Sequence, residues 1–233
     1  MPLISHAHVG HSLTAWRDTP GQEGLFVVAE KEAGIALASA KAALADQASA
    51  PRRLRHLSSV VHALNPDQRE NGGGLGYGAI RALDGTVDHM VFAAESEDAS
   101  DNLIRMSARF AEGAGYVSDR LRLSGEIALL AESASDEESS RLLIQLEKIL
   151  NHALEGADLD ADGRIGNRYD EYGLLQLRND ISRGLHKEKP AYQPAGKKYL
   201  LGLVRLPSGS WAYRFDLTDK NAQHSGYGHG YSY

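Results

Sequence analysis

Cysteine is absent from the 233 residues. That one absence removes disulfides, thiolate zinc sites, iron–sulfur clusters and covalently attached c-type haem. Any transition metal would have to be held by His, carboxylate or Tyr. Long apolar runs are missing too, and none approaches the roughly 20 residues that a membrane span requires. Basic charge is in deficit, with 25 Lys and Arg against 31 Asp and Glu and a net charge of −6. No basic stripe exists to neutralise phosphates, so nucleic acid is not expected as a partner. Met1-Pro2-Leu3-Ile4 opens with neither a basic region nor an apolar core of a leader, which reads as a cytoplasmic chain or a mature form without its leader.

What is present fits a folded helical protein. A hydrophobic fraction of 42% and a charged fraction of 24% are ordinary for a globular chain, and the length can bury a sizeable core. Thr19-Pro20 places a capping residue before a first-turn proline. Leu25, Val28, Ala29, Glu32, Ala36 and Ala40 then recur at helical spacing, predicting a long alanine-rich helix over 20–47 whose small side chains allow close packing. Pro51 opens a second helix, stopped by Asn65-Pro66. The glycine-rich segment 72–78 reads as a flexible connection that lets helices approach. No strand precedes it and no Walker lysine follows, so it does not read as a phosphate loop. A third helix should reach about Glu97. Ser100 should cap a fourth, weakened in its middle by Gly113 and Gly115. Ser135 with Glu138 forms a capping box before Leu142, Leu143, Leu146, Ile149 and Leu150, the cleanest amphipathic face in the chain. A shorter helix is expected over 172–185.

Near the C-terminus the pattern changes. Segments 198–205 and 210–217 read as two strands around Pro207-Ser208-Gly209. The expected organisation is mainly α: a His-bearing arm over 1–19, a multi-helix bundle over 20–190, a β-hairpin over 197–217 and a flexible Gly/Tyr/His tail over 218–233. An isolated hairpin is marginal in water, so 197–233 is a candidate surface for self-association or a protein partner.

Two clusters carry chemistry. In Asp158-Leu-Asp160-Ala-Asp162-Gly163-Arg164-Ile165, alternate carboxylates can converge on one point, Gly163 permits a sharp turn, and the Arg164 carbonyl can add an oxygen. Aspartates so crowded repel one another unless a cation lies between them. The segment resembles the first eight positions of an EF-hand loop, and the resemblance extends over 158–171. It implies a calcium ion, an inward-turned Ile165 and a closing carboxylate at the twelfth position. Here that position is Tyr169, leaving Asp170 or Glu171 to complete the shell from one or two residues further on.

The second cluster is His6-Ala-His8-Val-Gly-His11. On an extended segment the rings of His6 and His8 would share one face, with His11 folding back, a set suited to zinc, copper, nickel or iron. His62 and His89 are a further candidate pair, facing each other across the glycine segment to ligate a haem or to complete a metal site. Residues 2–8 also resemble the opening strand of metal-dependent amidohydrolases, where an HxH pair holds the metal. That resemblance implies a barrel of eight strands, against the helical reading of the rest. The first expectation is therefore a non-enzymatic, calcium-stabilised bundle binding a transition metal or haem. It would be exported to the periplasm or beyond the cell, where millimolar calcium fills even weak loops. A structural subunit using the hairpin, or a hydrolase using His6 and His8, are the alternatives.

Overall fold

In the computed structural model, the described residues are 3–46, 49–192, 203–205 and 211–213. They form seven α-helices: α1 Ile4–Leu13, α2 Leu25–Ala45, α3 Ala50–Leu64, α4 Ala79–Glu95, α5 Asp101–Ser133, α6 Asp136–Glu155 and α7 Leu174–His186. The mainly helical reading holds. The expected hairpin and tail lie outside the described residues, apart from two three-residue extended segments, Leu203–Arg205 and Trp211–Tyr213. Among the described residues no helix is long and apolar enough to cross a membrane.

The core follows from side-chain size. Val28, Ala29, Ala33, Ala36, Ala40 and Ala43 put a wholly buried strip of small residues along α2. It packs on α3, α4 and α6. Helix α5 is the spine, about 50 Å long at 1.5 Å per residue, and it contacts α3, α4, α6 and α7. The Ser100 hydroxyl caps it, accepting from the Leu103 N–H at 3.0 Å. Its expected weak middle is instead a packing site. A Cβ on Gly113 would lie 2.8 Å from the Tyr172 ring and 3.1 Å from Leu177, so glycine there lets α7 close onto α5. Ser135 caps α6 by accepting from Glu138 N–H, as its sequence signature predicts.

Two expectations change. The expected single helix over 20–47 is, within its described residues, a short 3-10 turn, Pro20–Gln22, followed by α2. The N-terminal arm is not extended but is helix α1. Its buried residues are Ser5, His6, Val9, Gly10, Ser12 and Leu13, too few of them large and apolar for the helix to announce itself. The helix is secured from a distance: the Asp98 carboxylate, in the turn between α4 and α5, accepts from the Ile4 and Ser5 N–H groups at 2.6 and 2.9 Å. These are the first amides that a helix leaves unpaired, and a negative charge there also suits the helix dipole. The same bonds hold the Asp98 carboxyl below its ordinary pKa, the Ser5 amide contributing most. At its other end α1 rests on the N-cap of α2, where a Cβ on Gly24 would come within 2.4 Å of the Leu13 carbonyl carbon.

The glycine segment between α3 and α4 is pinned rather than flexible. Glu32, fully buried on α2, accepts from Leu75 N–H at 2.9 Å, Tyr77 N–H at 3.1 Å and Gly78 N–H at 3.0 Å. A Cβ on Gly74 would meet the Ala63 backbone and a Glu32 carboxylate oxygen, both at 2.7 Å. The loop therefore wraps a carboxylate supplied by the protein itself. Replacing Glu32 with Ala orphans three amides, at roughly 1–3 kcal/mol for each buried unsatisfied group. Urea unfolding of Glu32→Ala should show a loss of about 3 kcal/mol or more, and Glu32→Gln, which keeps one acceptor oxygen, a smaller one. Equal stability of all three proteins would contradict this role.

Candidate metal centres

Helix α1 packs on α4, and that crossing builds the first centre. His8 and His11, three residues apart, lie on one face of α1. His89 comes from α4. One ring nitrogen from each lies within 4.8 Å of the others, in a half-buried setting. The Nδ1 atoms of His8 and His89 are 3.2 Å apart. Donors about 2.0–2.1 Å from a tetrahedral zinc are separated by about 3.3 Å, so this pair already stands at ligand spacing and the third must draw in. The His11 Nδ1 is hidden from solvent and has no hydrogen-bond partner among the described residues.

The surroundings favour the uncharged form of two of the rings, His89 and His11. Burial, and then the neighbouring His11 and His8, push the His89 pKa down to about 4. Burial and His8 lower that of His11 as well. Neutral imidazole is the form that binds metal. Trp16 packs 4.8 Å from both the His11 and His89 rings, and Phe92 packs 5.6 Å from His8 and 5.9 Å from His89.

The other two histidine candidates are elsewhere. His6 turns away from the cluster because an α-helix, unlike a strand, does not put residues two apart on one face. It is buried beside Glu188, with Nε2 3.5 Å from Oε1, and its ring meets Tyr192 edge-on at 5.5 Å. The amidohydrolase pairing of His6 with His8 is thus not formed. His62 faces the glycine segment, its Nδ1 accepting from Gly74 N–H at 3.1 Å. The structure does not bring His62 and His89 together as a haem pair.

The second centre is the loop between α6 and α7. Asp158, Asp160 and Asp162 each present a carboxylate oxygen within 4.8 Å of the others, all exposed. Gly163 takes the left-handed conformation, φ +80°, and its N–H donates to Asp158 at 2.9 Å. The Arg164 N–H donates to Asp162 at 2.8 Å, a bond that fixes the turn. Of the two closing carboxylates, Asp170 is bound by the Arg168 guanidinium at 2.6 and 3.0 Å. Glu171 is buried within the loop, accepting from Leu159 N–H at 3.3 Å and Gly166 N–H at 3.2 Å. Ile165, expected to turn inward, is 45% exposed, because the loop's anchor is this buried carboxylate instead.

The loop's two ends meet backbone to backbone. Ala157 N–H donates to the Glu171 carbonyl at 2.9 Å, and a Cβ on Gly173 would lie 2.3 Å from the Gly156 nitrogen. From α5, the Arg120 guanidinium donates to the carbonyls of Asp170 and Tyr172.

The chain is, in class, a helical bundle carrying one three-imidazole cluster and one three-carboxylate cluster able to hold metal ions. Comparison with protein-family models, with curated proteins and with solved structures finds no match, so the functional argument rests on these two sites. The first yields a direct check. In the metal-free protein the His89 ring resonances should titrate with a midpoint near 4, and replacing His11 with Asn should raise that midpoint by removing one repelling ring. A midpoint at the ordinary histidine value in the unaltered protein would show that the three rings do not crowd.

Proposed function

We propose that this chain is a metal-binding protein in which His8, His11 and His89 hold one transition-metal ion between α1 and α4. The observation that carries the reading is the convergence of three ring nitrogens within 4.8 Å. The depressed pKa of His89 supports it, because neutral imidazoles need shed no proton to bind. An all-imidazole set suits zinc, copper, nickel or iron and has little affinity for magnesium or calcium. The bound ion would tie the first helix to the bundle, and the reading is of a binding protein rather than an enzyme.

Titration calorimetry of the metal-free protein with Zn2+ and Co2+ tests it. One ion should bind per chain, and Co2+ should develop a visible d–d band. Outer-sphere residues already tune metal affinity by 10–100-fold, so loss of a ligand should cost more than about 100-fold. His8→Ala, His11→Ala and His89→Ala should each do so, while His62→Ala should leave affinity unchanged. Full zinc affinity in His89→Ala would overturn the site.

Calcium in the 158–171 loop is the second reading, favoured by the convergence of the three aspartates and by a further carboxylate, Glu171, buried in the same loop against the Leu159 and Gly166 amides. In this reading Asp158, Asp160 and Asp162 and the Arg164 carbonyl supply oxygens as an EF-hand-like loop does, and Glu171 rather than Asp170 completes the shell. A location outside the cytoplasm, with millimolar calcium, would keep such a loop filled. Calcium should raise the melting temperature, as any ligand of the native state does. Asp160→Asn with Asp162→Asn should abolish the rise, whereas Asp170→Asn should preserve it. A melting temperature indifferent to both calcium and chelator would remove this ion from the account.

A further inference from the structure

The three-imidazole cluster adjoins an open cleft of about 550 Å3 through one of its rings, His89, which lines the cleft wall. His89, Trp16 and Phe92 belong to both: they crowd the ring cluster and they line the cleft. Four aspartates line it as well, Asp18, Asp67, Asp84 and Asp88, against a single arginine, Arg81. That arginine is engaged, its guanidinium lying 4.7 Å over the Tyr77 ring. Asp84 accepts from Arg122 and from the Ser118 hydroxyl at 2.7 and 3.1 Å. Asp67 and Asp88 are exposed and make no ion pair among the described residues. Asp88 is the sequence neighbour of His89.

Three protein ligands leave a tetrahedral metal one position short, the arrangement by which such centres accept an outside molecule. A molecule reaching that position along the cleft passes aromatic faces and carboxylates. Those surfaces attract organic cations, through ring quadrupoles and through charge, and repel anions. The hidden, unpartnered His11 Nδ1 points to an ion among the three rings, one of which, His89, faces the cleft.

We propose that the cleft is the binding site of a small organic amine: its donor atom completes the coordination of the metal at His8, His11 and His89, and its ammonium group is received by Asp88 and the neighbouring carboxylates. This rests on the transition-metal reading above and adds to it the class of ligand.

Two pyridines separate the terms. 4-Methylpyridine offers the metal a ring nitrogen and no charge. 4-(Aminomethyl)pyridine offers the same nitrogen with an ammonium group at the far side of the ring, where it cannot chelate the same ion. Each is titrated into the Co2+-loaded full-length protein while the visible band is followed. Both should shift the band, and the aminomethyl compound should bind about tenfold or more tightly, the scale of one well-placed charge and cation–π contact. In Asp88→Asn, an exposed position whose change spares the fold, that preference should shrink severalfold while the ligand-free cobalt band stays as it was. Equal affinities for the two pyridines in the unaltered protein, an unperturbed band, or a preference undiminished in Asp88→Asn would overturn the proposal and leave the metal centre standing. Absence of any cobalt band dependent on His8, His11 and His89 would remove the metal reading and this one together.

Discussion

The carboxylate of Glu32 governs more of this molecule than its single position suggests. It is a fully buried carboxylate with no ion pair among the described residues, its oxygens held by three amides of the loop that joins α3 to α4. Charge-assisted bonds of this kind are the stronger class of hydrogen bond. Their geometry demands that the loop backbone come within van der Waals reach of α2 and α3, which is why glycines occupy Gly72 and Gly74. The grip also ends at Gly78, the residue before α4 begins. The start of α4 is thereby fixed against α2, and with it the direction along which His89 and the aspartates of the cleft are presented.

The other half of the imidazole cluster is held less heavily. Helix α1 has ten residues, and only Val9 and Leu13 among its apolar side chains are buried. Isolated helices so short are marginal. Its seat comes instead from the Asp98 carboxylate at one end, the close approach at Gly24 at the other, and the burial of His6 against Glu188 and Tyr192. The cluster thus joins one firmly placed imidazole to two on a helix with modest support of its own. In such an arrangement ion binding and helix docking reinforce each other.

How much of this was legible in the sequence depends on how local the cause was. Helices α3 to α7 were readable because proline starts, Ser100 and Ser135 caps, and leucine periodicity are all written within a few residues of the elements they define. Helix α1 was not, since its cap lies at Asp98 and its buried face is largely serine and histidine. The right residue types for the metal cluster were visible, but their grouping was not. His6 and His8 share a face only on a strand, and His89 meets whichever partner the α1–α4 crossing delivers. In the acidic loop the three aspartates were legible from their spacing alone. That Asp170 is bound by Arg168 while Glu171 is buried against the loop's own amides was not, because it turns on how Arg168 folds back. Glu32 stands in the apolar spacing of α2, but a glutamate on a helix usually faces water, and nothing local names the three amides of the 75–78 segment that it holds.

The neck of the acidic loop carries one more implication. With Ala157 bonded to Glu171 and Gly156 against Gly173, the chain leaves the bundle and re-enters it at nearly the same point. The stretch 158–168 is therefore a module joined to the bundle at its neck, while Tyr169 and Asp170 beside that neck are tied to the core and to α5 through Arg120. Such an appendage can gain, lose or exchange an ion-binding function over generations without the scaffold having to be reinvented, and the same junction offers a graft point for foreign sequence.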